Sequence, residues 1–169
     1  MIRFVPLRGV ASLALQLAIL CALIAAFFIR LPQVSGPSMA PNINSGEYVL
    51  INTLAYRFGK PRRGDIVAFA HDGITPEVYI KRVVGLPGDR LRIDHGAVYV
   101  NGVRLIEPYV QHGDDRSTPE TTVPDDSVYV LGDNRAVSED SRVFGPVADP
   151  DLMGKALAGI WPLASIGAL

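Results

Sequence analysis

The sequence predicts an all-β domain of packed antiparallel sheets, or a partly closed barrel, preceded by one N-terminal transmembrane helix. Three observations predict it. Residues 10–29 read VASLALQLAILCALIAAFFI, in which only Ser12 and Gln16 are polar. After Leu31 the helical period stops, and short β-rich runs alternate with turn residues. Gly and Pro supply 16 and 13 of the 169 residues, which breaks up any long helical bundle.

The apolar run comes first. A 20-residue helix is about 30 Å long, the thickness of a bilayer's hydrocarbon core. A cleaved leader has an apolar stretch of roughly 7–15 residues and then a small-x-small site. Here the run is longer and ends Phe27-Phe28-Ile29-Arg30. Arg3, Arg8 and the terminal amine flank one side, and Arg30 alone flanks the other. The positive-inside bias then gives a cytoplasmic segment 1–9, a transmembrane helix 10–30 and an extracytoplasmic domain 31–169. This is the layout of a single-pass membrane protein, with the lipid bilayer as a partner. The apolar tail from Ala156 to Leu169 is too short for a second span and is broken by Pro162.

Strands are expected at Glu47–Asn52, Asp65–Ala70, Val78–Val84, Leu91–Ile93, Ala97–Val100, Val128–Leu131 and, last, Ala156–Trp161. Asn101-Gly102 between two β-rich runs is a two-residue hairpin signal. Leu86-Pro87-Gly88-Asp89 reads as a tight turn. The polar stretch 107–126 reads as a surface loop.

Charge and composition narrow the function. Residues 31–169 carry 13 bases against 17 acids, which opposes phosphate-driven nucleic-acid binding. Cys21 is the only cysteine, so neither an intramolecular disulfide nor a cysteine zinc site can form. Metal and phosphate-loop motifs are absent from the sequence, and no cofactor is expected. Lys60, Arg62 and Arg63 read as a solvated turn.

Three constellations carry possible chemistry. In Ser35-Gly36-Pro37-Ser38-Met39-Ala40-Pro41 the two outer prolines stiffen the chain and present Ser38 on a rigid turn. An ordinary stalk linker has the same composition. In Tyr79-Ile80-Lys81-Arg82-Val83-Val84, strand alternation gives each apolar face one cation. Arginine keeps its charge and needs a carboxylate, whereas a buried lysine can shed its proton. Such an amine can act as base for a serine. Two cations reaching to water at a sheet edge are the alternative. The run Gly132–Arg142 offers Asp133, Asp140 and Arg142 to interlock with Arg82, and Ser138 to orient the lysine. A solvated loop of weak ion pairs is its alternative. His71, His95 and His112 sit beside acids or in polar loops, which leaves a histidine-based triad as a lesser reading.

Together these residues resemble the type I signal peptidases, membrane-bound Ser-Lys proteases that remove signal peptides from secreted preproteins. Five blocks match in order: SGPSMAPN at 35–42, RGDIVAF at 63–69, YIKRVVGLPGD at 79–89, GDNRAVSEDSRVFGPV at 132–147 and GKALAGIWPL at 154–163. The resemblance implies Ser38 as nucleophile, Lys81 as general base and Ser138 as a contact of the lysine amine. It implies Asp133, Asp140, Arg82 and Arg142 as the ion-pair set, and Met39 and Ile80 as lining of a pocket for small side chains, as in Ala-x-Ala. Secretory preproteins are the implied substrates, and the plasma (inner) membrane is the implied location. Two departures stand out. Gly36 replaces a serine that helps hold the oxyanion in some members, and Asn42 replaces a common threonine to no assigned consequence. Other readings of the same dyad are a pilin- or conjugation-type enzyme and an organellar inner-membrane peptidase. Arg135 and the ending IWPLASIG look more bacterial. A non-catalytic, membrane-anchored peptide-binding β-domain is the remaining alternative.

Overall fold

A computed structural model of the chain describes residues 7–71, 77–162 and 166–168; within its first helix, side chains are described for 9–23 and 28. That helix, α1, runs Leu7–Phe28. Residues 1–6 of the expected cytoplasmic segment lie outside the described residues. Among the described residues no helix is long and apolar enough to cross a membrane. The expected helix end at 30 is corrected. Ile29 and Arg30 form a strand, β1, paired antiparallel with Asn52 and Ile51. The switch is enforced locally, because the Phe28 carbonyl accepts from both the backbone N–H and the hydroxyl of Thr53, each at 3.0 Å.

The strands that follow are β2 (Tyr48–Asn52), β3 (Ile66–His71), β4 (Glu77–Gly85), β5 (Arg90–Asp94), β6 (Ala97–Val100), β7 (Val103–Arg104), β8 (Thr118–Thr122) and β9 (Ser127–Leu131). A one-turn helix, α2 (Ser141–Phe144), precedes β10 (Val147–Ala148), β11 (Leu152–Trp161) and β12 (Gly167–Ala168). The fold is mostly β, with every named strand pairing antiparallel. The larger sheet has the order β1-β2-β11-β3-β4-β9-β10, with β12 beside β11. The smaller has the order β7-β6-β5-β8. Asn101 and Gly102 both hold positive φ, 53° and 82°, as the two-residue hairpin turn requires.

The stretch 107–126 is not simply a surface loop. Thr118–Thr122 is β8, pairing with β5. Pro119 and the threonines hide it in the sequence, yet an edge strand tolerates both.

Core side chains fall into three groups. One, including Met39, Ile43, Ile66 and Ile80, fills the space under the Ser38 turn. A second, including Leu91, Val98 and Leu131, joins the two sheets. A third, including Val67, Phe69, Val83 and Val130, backs β3, β4 and β9. Strand β4 lies inside the larger sheet, between β3 and β9. Its two cations therefore cannot reach out from a sheet edge. Lys81 is 3% exposed and Arg82 8%.

Candidate active site

The turn that carries Ser38 is built to stay put. Ala40 N–H donates to the Pro37 carbonyl and Ile43 N–H to the Met39 carbonyl, both at 3.0 Å. Buried Met39 and Ile43 pin the turn to the core. Gly36 takes φ +91°, a backbone state that any L side chain resists. The conformation present at position 36 thus calls for glycine.

Three further bonds tie this turn to the loop after β9 and to Tyr109. Asn134 N–H donates to the Ser38 carbonyl at 3.0 Å. The Asn42 amide donates to the Tyr109 carbonyl at 2.7 Å and to Asp133 Oδ2 at 2.8 Å. Asn42, to which the sequence assigned nothing, therefore links the serine turn to the ion-pair set. Gly132 is another residue that sequence reasoning passed over. A Cβ placed there would lie 2.2 Å from Ser138 Oγ and 2.6 Å from the Ser38 carbonyl oxygen. Its position at the head of the GDNR block was the available signal.

Lys81 Nζ lies 2.7 Å from Ser38 Oγ. Burial disfavours the ammonium and lowers the Lys81 pKa from 10.5 to about 8, against the upward pull of the Asp140 and Glu139 charges. Met39 and Ile80 join Ser38 and Lys81 in the wall of one cleft of about 470 Å³. Gln33, Tyr79, Val137 and Glu139 continue its lining.

Behind the cleft the expected ion pairs are present. Arg82 grips Asp133 with two hydrogen bonds, Nε to Oδ1 at 2.8 Å and Nη2 to Oδ2 at 2.7 Å. It also donates to the Gly64 carbonyl at 3.0 Å and stacks 4.2 Å from the Tyr109 ring centre. Asp140 caps α2 and accepts from Gly132 N–H at 3.0 Å and twice from Arg142 at 2.8 Å. Burial alone would raise the Asp140 carboxyl, but the bonds and charge of Arg142, with Gly132 N–H, hold it below the usual range. Arg142 reaches on to Asp114 at 2.5 Å, and buried Arg135 pairs with Glu107. Asp114 and Glu107 belong to the stretch 107–126 expected to be a surface loop, so that stretch is fastened to the site.

Ser138 is buried, but its hydroxyl completes no hydrogen bond, to Lys81 or otherwise, among the described residues. It lies near enough to Asp140 to help keep that carboxyl low. None of the histidines lines the cleft. His71 packs on Phe144 at 4.4 Å, His95 contacts Asp115, and His112 is exposed. Among the described residues no cluster of three or more His, Cys, Asp or Glu could hold a metal.

The family model described as "Signal peptidase, peptidase S26" matches residues 7–161. The chain belongs to this signal peptidase family. It is a hydrolase of peptide bonds, with signal peptidase I activity. It is 33% identical to the signal peptidase I of Leptolyngbya laminosa, over 96% of this chain and 83% of that one. It is 40% identical to the signal peptidase I of Bacillus caldolyticus, over 76% of this chain and 78% of the other. A crystal structure of a signal peptidase I from Enterococcus faecalis V583 is 34% identical, covers 57% of this chain and 96% of that one, and superposes with a TM-score of 0.47. The resemblance read from the five sequence blocks is borne out at the level of the family.

Proposed function

We propose that this S26 peptidase is held in the plasma membrane by α1 and removes signal peptides from secretory preproteins through a Ser38–Lys81 dyad. The observation that carries the reading is the 2.7 Å approach of a buried Lys81 amine to Ser38 Oγ. No cofactor takes part.

An extended preprotein segment lies in the cleft, its small side chains against Met39 and Ile80. Neutral Lys81 accepts the Ser38 proton as Oγ attacks the scissile carbonyl. Negative charge develops on the carbonyl oxygen. The Ser38 N–H donates to no other group among the described residues and is free to receive it. The Lys81 ammonium then gives its proton to the leaving amine. A water, deprotonated by the regenerated amine, attacks the acyl-enzyme and frees Ser38. Arg82, Asp133, Asp140 and Arg142 hold β4 and the loop after β9 in register while this happens.

The anchor rests on the apolar run 10–29 and on the length of α1. Twenty-two residues rise about 33 Å at 1.5 Å each. The bases before it orient residues 1–9 to the cytoplasm and 31–169 outward.

The test uses the detergent-solubilised chain and a preprotein bearing Ala-x-Ala. Mass spectrometry of the product should give a new N-terminus directly after the second Ala, and Ser38→Ala should abolish it. Cleavage that persists in Ser38→Ala removes the dyad.

A further inference from the structure

One surface feature takes no part in this chemistry. Between β2 and β3 the chain reads TLAYRFGKPRRG, with four bases and no acid. Phe58, in its middle, is 88% exposed, more than any described apolar side chain of α1. The domain beyond Leu31 is acidic overall, so the basic stretch is local.

The loop is preformed. Tyr56 packs on the core behind β3 and β4 and gives its hydroxyl to Asp65 at 3.2 Å. Arg63 is spent on Asp89 and on the Val84 carbonyl. Lys155 is spent on Asp65 at 2.6 Å. Arg57, Lys60 and Arg62 are exposed, and their side chains pair with no acid among the described residues. Lys60 and Arg62 edge a cleft of about 380 Å³ that also takes in Tyr56 and Gly59.

Its location selects the partner. Thr53, where the loop begins, holds the last carbonyl of α1 with both its donors. Tyr56 and Arg57 line the same cavity as Phe28 and Arg30. An exposed aromatic ringed by unpaired cations, beside the end of an apolar helix, matches the layering of a membrane surface. There apolar bodies sink and cationic tips meet phosphates.

We propose that residues 53–64 form a lipid-docking surface: Phe58 enters the interfacial layer beside α1, while Arg30, Arg57, Lys60 and Arg62 bind anionic phospholipid headgroups. This rests on the anchored reading of α1 above. Each such cation strengthens attraction to an anionic surface by roughly fivefold. The docked loop holds the sheet against the bilayer at a second point.

The test uses the full chain in vesicles with and without anionic phospholipid. Trp161 is the only tryptophan, so Phe58→Trp in a Trp161→Phe background gives one reporter. Its emission should shift to the blue and be quenched by brominated lipid, most strongly in anionic vesicles. Combining Arg57→Gln, Lys60→Gln and Arg62→Gln, with Arg30→Gln added, should remove the dependence on anionic lipid. So should salt at about 1 M, where the screening length falls to roughly 3 Å. Peptide cleavage by this quadruple variant in detergent should stay unchanged. A reporter that stays unquenched while alkaline carbonate leaves the chain in the vesicles overturns the docking surface and spares the anchor. Quenching that ignores headgroup charge overturns the role of the cations. A chain stripped off by carbonate overturns the anchor reading and this proposal with it.

Discussion

Strand β4 turns Lys81 to one side and Arg82 to the other, and both are almost wholly removed from water. On the Arg82 side a carboxylate, a carbonyl and an aromatic face meet the guanidinium. On the Lys81 side the hydrogen-bonded partner is a serine oxygen, and no acid among the described residues forms a salt bridge with the amine. Asp140 and Glu139 act on it without direct pairing. Burial alone thus does not decide the fate of a cation. A carboxylate in contact preserves the charge, and withholding one lets the amine shed it. Arginine could not be used in the second way, since its guanidinium keeps its proton.

Breaking the contrast on the lysine side should have the largest effect. Lys81→Met should remain folded and lose roughly 10⁴-fold or more in kcat at every pH, measured on a preprotein substrate. In the wild type, only the neutral amine can accept the serine proton. The rate should therefore climb as pH rises and level off above about 8. A rate already flat at acid pH would remove Lys81 as the base.

Breaking the arginine side should appear first as lost stability. Arg82→Met leaves Asp133 buried without its cation, a change costing about 3–5 kcal/mol in thermal or denaturant unfolding. Replacing Asp133 by Leu in the same chain should recover part of that loss. Between the two sides sits Asn42. Asn42→Ala should cost about 1–3 kcal/mol by leaving Asp133 and the Tyr109 carbonyl short of a donor. The same variant should slow cleavage by loosening the Ser38 turn.

The smallest effect sharpens the contrast instead. Glu139 is exposed at the cleft wall, and its charge favours the Lys81 ammonium. Glu139→Gln removes that pull, so the rising limb of the pH profile should move to lower pH with its plateau unchanged. A move to higher pH would contradict the assignment.

Much of this was legible in the sequence because it depends on local pattern. Short β-rich runs between turn residues located β2, β3, β4 and β9, and Asn101-Gly102 located a hairpin. The blocks around Ser38, Lys81 and Gly132 pointed to side chains that the fold brings together. What stayed hidden depends on distance along the chain or on close approach. Asn42 and Asp133 are 91 positions apart, and nothing local marks them as a pair. Gly132 matters because two other segments crowd it, which composition does not record. Glu107 and Asp114 looked solvated because they stand in a polar stretch; their arginines arrive from elsewhere. Strand β1 was missed because its two residues run straight on from an apolar helix.

That junction sets a mechanical constraint. Phe28 ends α1, Ile29 already belongs to a sheet, and Thr53 clamps the seam. No linker residue separates helix from sheet. With α1 spanning the bilayer as proposed, the seam works as a ruler: the height of Ser38 above the lipid is fixed by the fold. A helix that leans to suit a thinner bilayer must then carry the cutting point with it, changing which bond of a preprotein it meets.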